Sequence, residues 1–184
     1  DLVSPVDALS DAERTRTHRH AALRGFGELA QRRLAAAHIA IVGAGGLGSP
    51  AVLALCAAGV GTITVIDDEL KPDVAVDRVR TYVETEKPAF VVGPVFSNIL
   101  GAIAKPVLDS GAFLISPNAG PSTMAGKACN KNFFVTSYQN DQVHEVLGKY
   151  AQDQNYKKAY IIAPNYQAGK DSLAGFKRYF KGEI

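Results

Sequence analysis

The amino-acid sequence predicts an α/β protein built on a doubly wound parallel sheet, preceded by two helices. Three observations lead to this fold class. Short apolar segments alternate with helical segments at a spacing typical of doubly wound sheets. Some of the apolar segments are continuous, as in residues 112–115 and 159–163, which indicates strands covered on both faces. A glycine-rich turn at residues 43–48 joins the first apolar segment to a helix.

Two helices are predicted ahead of the first strand. Ser10 and Glu13 have the spacing of a capping box, in which an acid follows the capping serine by three residues. This pattern opens a basic helix that runs to about residue 23. A second amphipathic helix, rich in arginine and alanine, is expected over about residues 28–37.

Six strands and five more helices are predicted from residue 38 onward. The strands are expected near residues 38–42, 62–66, 89–93, 112–116, 133–136 and 158–163. The helices are expected at about residues 48–58, 72–86, 98–109, 140–153 and 168–180. The first five strands form the main sheet in this prediction, and the sixth either extends that sheet or stands apart from it.

Length and charge narrow the classes of function. The 184 residues suffice for one ordinary domain with an apolar core. A net charge of +2 gives no support for a nucleic-acid partner or an anionic membrane surface. No apolar run is long enough for membrane insertion, and the polar, charged N-terminus predicts no signal peptide.

The glycine turn has the context of a nucleotide-binding fingerprint. Gly43 permits the tight turn, Gly45 lets the backbone approach a phosphate, and Gly48 lets the helix pack close to the strand. The start of the helix offers N–H groups to an anion, and Asp67 follows the second strand, where it could accept hydrogen bonds from ribose hydroxyls. The alternative is that these glycines serve only a tight connection between strand and helix.

Further motifs surround the glycine turn. They are Leu9-Ser-Asp-Ala-Glu13, Arg16-Thr-His-Arg-His20, Leu23-Arg-Gly-Phe-Gly27, Gln31 and Val42-Gly-Ala-Gly-Gly-Leu-Gly-Ser-Pro50. Together they resemble the N-terminal part of the ThiF/MoeB family, adenylyltransferases related to ubiquitin-activating enzymes. The resemblance covers about residues 4–68 and implies a cytoplasmic, Rossmann-like protein that binds ATP. That family forms dimers, so a homodimer is left open.

The same resemblance assigns candidate nucleotide-binding residues. They are Gly43, Gly45, Gly46, Gly48, Asp67 and Arg19. An arginine at the place of Arg19 reaches the ATP phosphates of the other subunit in that family. The alternative for Arg19 is a solvated position on a basic helix.

The resemblance to adenylyltransferases ends after Asp67 and Asp68. The family's next motif, its lysine, its magnesium-binding aspartate, its C-x-x-C zinc pairs and its catalytic cysteine have no match here. Adenylation needs charge stabilisation and metal-assisted positioning of phosphates. The sequence therefore predicts weak ATP binding at most, with no catalytic residue and no metal site, and it favours a protein that is not an enzyme.

The rest of the chain carries a different set of motifs. They are Lys71-Pro-Asp-Val-Ala-Val-Asp-Arg78, Phe90-Val-Val-Gly-Pro-Val-Phe-Ser97, Gly111-Ala-Phe-Leu-Ile-Ser-Pro-Asn-Ala-Gly120, Asn132-Phe-Phe-Val-Thr-Ser-Tyr-Gln-Asn-Asp141 and Ala163-Pro-Asn-Tyr-Gln-Ala-Gly169. Residues 69–184 thus resemble a periplasmic solute-binding protein of a branched-chain amino-acid type ABC transporter. Such proteins bind their ligand between two lobes, and the second lobe is incomplete in this match.

This second resemblance implies a set of ligand-binding residues. They are Ser97, Asn98, Ser116, Asn118, Ala119 and Gly120, with Tyr166 as a wall contributed by the second lobe. The two loops that carry the first six follow the carboxyl ends of parallel strands, where such sheets place ligands. The alternatives are ordinary helix caps, an ordinary turn and a packing aromatic residue.

The two resemblances divide the chain into three parts and meet near Asp67 and Asp68. The parts are the N-terminal helices (1–37), a nucleotide-binding type strand-helix-strand unit (38–68) and the solute-binding-protein-like segment (69–184). We interpret the chain as an artificial chimera that forms one compact unit.

The predicted function is a non-catalytic scaffold that binds an amino acid or other carboxylate, with little or no native activity. The alternative is an ATP-binding, adenylyltransferase-like protein. The compartment stays open, since one resemblance implies the cytoplasm and the other the periplasm.

Overall fold

The computed structural model describes residues 2–184, with Lys127 described by its backbone alone. Two helices come first, α1 (Asp11–Ala21) and α2 (Gly27–Ala36). The predicted capping box is present: Ser10 Oγ accepts a hydrogen bond from the Glu13 N–H at 3.3 Å, and a Glu13 carboxylate oxygen accepts one from the Ser10 N–H at 2.8 Å. These bonds satisfy N–H groups that a helix start otherwise leaves unpaired.

Five strands and five longer helices follow. The strands are β1 (His38–Val42), β2 (Thr62–Ile66), β3 (Phe90–Val92), β4 (Phe113–Ser116) and β5 (Phe133–Val135). The helices are α3 (Gly48–Ala58), α4 (Pro72–Thr85), α5 (Ser97–Asp109), α6 (Gln142–Asp153) and α7 (Gln167–Tyr179), with short 3-10 turns at Ser122–Met124 and Gly126–Ala128. All these helices and strands lie within two residues of their predicted bounds. Among residues 2–184, no helix is both long and apolar enough to cross a bilayer.

The five strands form one parallel sheet in the order β2-β1-β3-β4-β5. The predicted α/β class with a doubly wound parallel sheet is therefore confirmed. The chain first moves outward from β1 to β2 and then returns to build β3 on the other side of β1. This reversal makes a topological switch point between β1 and β3, where the loops at the carboxyl ends diverge.

The prediction of a sixth strand at residues 158–163 is wrong. The structure has only an isolated bridge there, between Lys158 and Glu183. The segment has the composition of a strand, but a strand also needs a neighbour for its backbone hydrogen bonds. No strand of residues 2–184 lies beside it.

One face of the sheet carries the main core. Ala40, Val91 and Leu114 point from three adjacent strands toward α4 and α5, and all three are fully buried. The same cluster contains Val79 of α4 and Ile103 of α5. The two predicted stretches, 38–68 and 69–184, therefore contribute side chains to the same buried cluster.

The other face is covered only in part. Helix α3 packs over β1 and β2, where Ile39 and Ile41 are buried. Beyond β1, the rings of Phe90, Phe113 and Phe134 lie in a row across β3, β4 and β5, with centroids 5.6 and 6.1 Å apart. Phe134 is 50% exposed, so the expectation that the strands are covered on both faces is wrong at this edge.

We expect Ile41→Ala to destabilise the whole chain by about 2–5 kcal/mol, because it leaves a cavity where the side chain is 1% exposed. Urea unfolding followed by circular dichroism should show a single transition moved to lower urea. Val65→Ala is the matched control, since Val65 lies opposite Ile41 on the neighbouring strand and is largely exposed. Two separate transitions, of which Ile41→Ala shifts only one, would contradict a shared core.

Candidate functional site

The glycine turn closes tightly between β1 and α3. Gly43 has a φ of +86°, which favours glycine, and its N–H donates to the carbonyl of Ile66 at 2.8 Å. A Cβ on Gly48 would lie only 1.8 Å from the Gly43 carbonyl oxygen. The backbone geometry of these two glycines thus agrees with the roles expected for a tight turn and for close packing of helix on strand.

A cavity of about 250 Å³ lies at the switch point of the sheet. Its lining comes from both predicted stretches of the chain. The turn contributes Gly43, Gly45 and Gly48, the loop after β2 contributes Asp68, the loop after β3 contributes residues 93–96, and the loop after β4 contributes Pro117. We call this cavity the switch-point pocket.

The predicted nucleotide-binding residues divide between this pocket and other places. Gly43, Gly45 and Gly48 line the pocket, whereas Gly46 and Asp67 are outside its lining. Asp67 is exposed, and one of its carboxylate oxygens accepts a hydrogen bond from the Glu69 N–H at 2.9 Å.

Among residues 2–184, no hydrogen bond or ion pair joins Arg19 to the glycine turn. The side chain of Arg16, on the same helix, donates to the carbonyl of Cys56 at the C-terminal end of α3. The glycine turn is at the opposite end of that helix. The role of Arg19 toward the nucleotide of another subunit stays a prediction.

Asp68 lines the pocket in the place predicted for Asp67. It is only 7% exposed, and its Oδ1 accepts a hydrogen bond from the Leu70 N–H at 2.9 Å. Among residues 2–184, its Oδ2 has no hydrogen-bond or ion-pair partner. This oxygen is accessible from the pocket, so a donor or a cation bound there can pair with it. The sequence shows two adjacent acids after β2 and does not indicate which of them faces inward.

Several predicted ligand-binding residues are held by hydrogen bonds within the chain. Ser97 is 3% exposed, and its Oγ accepts a hydrogen bond from Asn140 Nδ2 at 3.0 Å. The Gly120 N–H donates to Asn140 Oδ1 at 3.3 Å. Asn140 therefore bridges the two loops that the sequence assigns to a ligand carboxylate.

The other members of this set also have internal partners. Ser116 is fully buried and donates its hydroxyl to the carbonyl of Ala119 at 2.6 Å. Asn118 Nδ2 donates to the carbonyl of Val95 at 3.0 Å, which ties the loop after β4 to the loop after β3. These contacts set the shape of the loops, and they engage the Ser116 hydroxyl and one N–H of Asn118.

Asn98 and Tyr166 border the same region. The Oδ1 atom of Asn98 is buried without a hydrogen-bond partner among the described residues. The ring of Tyr166 lies edge-on to the ring of Phe96, with centroids 6.0 Å apart. The structure therefore brings Tyr166 against the loop that precedes Ser97, and its role as a wall for a ligand stays a prediction.

One carboxylate of α7, that of Asp171, bonds to residues beside the predicted ligand loops. Asp171, on α7, accepts hydrogen bonds from the Ser122 N–H at 3.1 Å and from Ser122 Oγ at 2.6 Å. It also accepts from Asn140 Nδ2 at 2.9 Å and from Gln167 Nε2 at 2.8 Å. Burial by itself would raise the pKa of Asp171, but these hydrogen bonds outweigh it and hold the pKa below its usual value.

We expect Asp171→Ala to lower the free energy of unfolding by about 2–4 kcal/mol, since it leaves the donors of Ser122, Asn140 and Gln167 unpaired. A lowered folded-state pKa means that the stabilisation is present above the unfolded pKa of roughly 3.9 and is lost as the pH falls through the folded value. Urea unfolding between pH 7 and pH 2.5 measures both effects.

The control for this prediction is Asp153→Ala, which removes an exposed carboxylate that pairs with Lys149 on the surface of α6. Surface pairs contribute about 0–1 kcal/mol, so the loss should be small. A loss in Asp171→Ala no larger than that of the control would show that the hydrogen bonds to Asp171 contribute little.

Comparison with protein families decides where the chain belongs. A family model described as "Periplasmic binding protein" matches residues 33–183. The chain belongs to the periplasmic binding protein family. The match begins before β1 and therefore includes the strand-helix-strand unit that carries the glycine turn.

Solved structures agree with this assignment. A solute-binding protein of an ABC transporter from R. palustris, in complex with benzoate, is 27% identical with a TM-score of 0.68. It matches over 80% of this chain and 46% of its own. The branched-chain amino acid transporter substrate binding protein LivJ from Streptococcus pneumoniae, in complex with isoleucine, has a TM-score of 0.64 at 24% identity, over 80% of this chain and 47% of its own. The chain thus spans just under half the length of these relatives.

Curated adenylyltransferases match as well. A probable adenylyltransferase/sulfurtransferase MoeZ from Mycobacterium tuberculosis is 48% identical over 66 residues, which are 36% of this chain and 17% of that protein. A probable molybdopterin-synthase adenylyltransferase from Gracilaria tenuistipitata is 28% identical over 182 residues, which are 96% of this chain and 45% of that protein. Both resemblances predicted from the sequence are confirmed, one of them over a short stretch.

Proposed function

We propose that this chain binds a small solute bearing a carboxylate and performs no chemistry on it, in the manner of an ABC-transporter solute-binding protein. The observation that carries the proposal is the switch-point pocket, which the loop at residues 93–96 and the glycine turn enclose together. Family membership supports it, as do structural relatives that hold isoleucine and benzoate. Each of those ligands joins a carboxylate to an apolar body. The family also favours the periplasm as the compartment.

The pocket is a better candidate for the solute than the cleft predicted from the sequence. In that cleft the polar groups of Ser97, Ser116 and Gly120 are already bonded within the chain. The carboxylate of Asp171 also lies there, and a second carboxylate beside it would be repelled. The switch-point pocket also contains one carboxylate, that of Asp68, and it adds the N-terminal end of α3, whose dipole favours an anion.

The chemistry of the pocket suits a zwitterion with an apolar side chain. The N-terminal end of α3 lies at the pocket through Gly48 and brings the positive end of the helix dipole, which favours a carboxylate. The next N–H, of Ser49, donates to the carbonyl of Gly45 at 3.0 Å, and Pro50 has none. Asp68 offers an unpartnered oxygen that suits an ammonium group. Leu47, Val95 and Phe96 supply apolar walls. We therefore favour an amino acid over a simple carboxylic acid.

The size of the pocket limits the ligand. Its volume of about 250 Å³ lies below the range of roughly 300–1,000 Å³ typical of pockets for drug-sized molecules. One water in the liquid takes about 30 Å³, so the pocket holds a ligand of modest size. A complete ATP molecule would extend well outside it.

The second candidate function is nucleotide binding without adenylation. It is favoured by the three glycines that line the pocket and by the 48% identity to an adenylyltransferase over 66 residues. In this alternative Asp68 accepts hydrogen bonds from ribose hydroxyls and the start of α3 faces the phosphates. Mg-ATP would then stabilise the fold where amino acids do not.

We expect Gly45→Ala to weaken solute binding while leaving the fold intact. A Cβ on Gly45 meets no atom within 4 Å, and the residue lines the pocket, so the added methyl group takes space from the ligand. Gly46→Ala is the matched control, because its Cβ is equally free but lies outside the lining. Thermal melts with L-isoleucine, L-phenylalanine, benzoate and Mg-ATP measure the effect, since a ligand at 100 times its Kd stabilises by about 2.7 kcal/mol.

A shift with an amino acid or benzoate that Gly45→Ala reduces and Gly46→Ala retains would support the proposal. A shift with Mg-ATP alone would favour the second candidate. If no compound shifts the melt, or if both variants respond like the unmodified chain, the pocket is not a binding site for these compounds.

We expect Asp68→Asn to remove the preference for amino acids over their deaminated analogues. In the unmodified chain L-phenylalanine should bind at least about tenfold more tightly than 3-phenylpropanoate, because one charge-assisted hydrogen bond is worth about 1.5–3 kcal/mol. Asparagine keeps an oxygen to accept from the Leu70 N–H but carries no charge. For Asp68→Asn, calorimetric titration should show that the affinities for L-phenylalanine and 3-phenylpropanoate lie within about threefold of each other.

Asp67→Asn is the control for this substitution, because the neighbouring acid also accepts a backbone N–H but lies outside the pocket. It should leave the preference for L-phenylalanine unchanged. An equal loss in both variants would indicate a general effect of charge. A preference that persists in Asp68→Asn would place the ammonium group elsewhere.

A further inference from the structure

The loop between β2 and α4 holds two adjacent residues in a backbone conformation that side chains disfavour. We call residues 67–71 the β2–α4 loop. Glu69 has a φ of +48° and Leu70 a φ of +56°. This left-handed conformation is costly for a residue that is not glycine, and glutamate and leucine adopt it less readily than asparagine or aspartate do. Two such residues in succession persist only where the surrounding structure holds them.

Hydrogen bonds within the β2–α4 loop hold part of this conformation. The Glu69 N–H donates to Asp67 Oδ1 and the Leu70 N–H to Asp68 Oδ1, each at 2.9 Å. The Lys71 N–H donates to the carbonyl of Asp68 at 2.8 Å. Three successive N–H groups are thus paired inside the loop, and the bond from Leu70 also fixes one oxygen of the carboxylate that lines the pocket.

Arg78 of α4 holds the β2–α4 loop from outside. Its Nη1 donates to the carbonyl of Asp67 at 2.8 Å, and its Nη2 donates to one carboxylate oxygen of Glu69. Lys71 Nζ donates to the other oxygen of Glu69 at 3.3 Å. The hydrogen bonds from Arg78 and Lys71 hold the pKa of the Glu69 carboxyl below its usual value, so these contacts form at neutral pH. Because the neighbouring Val79 is fully buried in the core, Arg78 fastens the loop to a fixed helix.

Leu70 is the apolar residue that this loop brings to the switch-point pocket. It lines the pocket, yet 66% of it is exposed. Leu47, Val95 and Phe96 line the same pocket and are exposed as well. An apolar ligand body that covers such side chains removes apolar surface from water, which favours binding. The position of Leu70 differs from that of the other three in depending on two residues in a disfavoured conformation.

We propose that Leu70 selects the side chain of the bound amino acid, and that Arg78 is the positioning residue that keeps Leu70 at the pocket. This inference rests on the proposed solute-binding function and narrows its substrate class to amino acids with a branched or aromatic apolar side chain, in preference to small ones. The direction in which a side chain leaves the backbone depends on the backbone conformation. A loop released from the left-handed conformation would therefore direct Leu70 elsewhere, which gives the strain at this loop a role in the site.

Leu70→Gly separates a role in binding from a role in the fold. Glycine adopts a positive φ without strain, so this variant should have a urea midpoint close to that of the unmodified chain. Calorimetric titration should show that the ratio of the affinity for L-phenylalanine to that for L-alanine falls by about tenfold, since an apolar contact in a pocket is lost. Leu23→Gly is the matched control, because Leu23 is 59% exposed in a turn outside the pocket lining and should leave the ratio unchanged.

Arg78→Met tests the positioning role. Methionine keeps an unbranched apolar stem but donates no hydrogen bond, so the loop loses both contacts to Arg78 and the same ratio should fall by at least about threefold. Arg78→Lys keeps the charge without the planar fork that bonds Asp67 and Glu69 together, and it should restore part of the preference. Arg80→Met is the control, because Arg80 is also exposed on α4 but lies outside the pocket lining.

A double variant that combines Leu70→Gly with Arg78→Met shows whether Arg78 acts through Leu70. The double variant should have the same affinity ratio as Leu70→Gly alone, because Arg78 then has no side chain left to position. Losses that multiply in the double variant would show that Arg78 acts by another route and would overturn its positioning role. A lower urea midpoint in Arg78→Met with an unchanged ratio would overturn it too, since a merely structural role gives that result.

Failure of this inference is distinct from failure of the proposed function. If the unmodified chain binds neither L-phenylalanine nor L-alanine, solute binding fails and this inference falls with it. If the unmodified chain binds both and Leu70→Gly leaves their affinity ratio unchanged, Leu70 does not select the side chain, although the pocket still binds amino acids. Circular dichroism confirms that each variant is folded. Should Leu70→Gly not fold, Leu70→Ala, which shortens the side chain and keeps the Cβ, provides the same test.

Discussion

The pairing of β1 with β3 is the contact on which the rest of the structure depends. It joins Ile39 to Phe90 and Ile41 to Val92, and among residues 2–184 it is the one strand pairing between the adenylyltransferase-like stretch and the solute-binding-protein-like stretch. Because both stretches bring a right-handed strand-helix-strand geometry, the ladder continues without a change of direction. The switch point, and with it the pocket, exists only because β3 returns to this side of β1.

The same junction explains why one face of the sheet is well packed and the other is not. Toward α4 and α5, Ala40 is small enough for the helices to approach, and the larger Val91 and Leu114 fill the space beside it. On the face toward α3, Ile39 and Ile41 of β1 are buried. Beyond β1 this face carries the rings of Phe90, Phe113 and Phe134 instead. Most of the stabilising burial therefore lies between the sheet and the two helices contributed by residues 72–109.

The sequence predicts what depends on local signals. The capping box of Ser10, the glycine turn and the apolar runs place every other element within two residues of its observed bounds. The strand predicted at 158–163 fails because strand formation depends on a neighbour, which the segment's own residues do not reveal. The convergence of Ser122, Asn140 and Gln167 on Asp171 is equally hidden, since these residues meet only through tertiary packing.

The location of the pocket follows from the topology of the sheet more than from the residues that resemble either family. At a switch point the loops after adjacent strands turn to opposite faces of the sheet, and a crevice opens between them whatever residues they carry. Here one wall has the glycines of a nucleotide turn and the other has the loop of a solute-binding protein. The walls decide the chemistry of the ligand: the positive end of the α3 dipole, the carboxylate of Asp68, and the apolar side chains of Leu47, Val95 and Phe96. Such a set matches the carboxylate, the ammonium group and the apolar body of an amino acid, which is why the proposal of solute binding rests on this pocket.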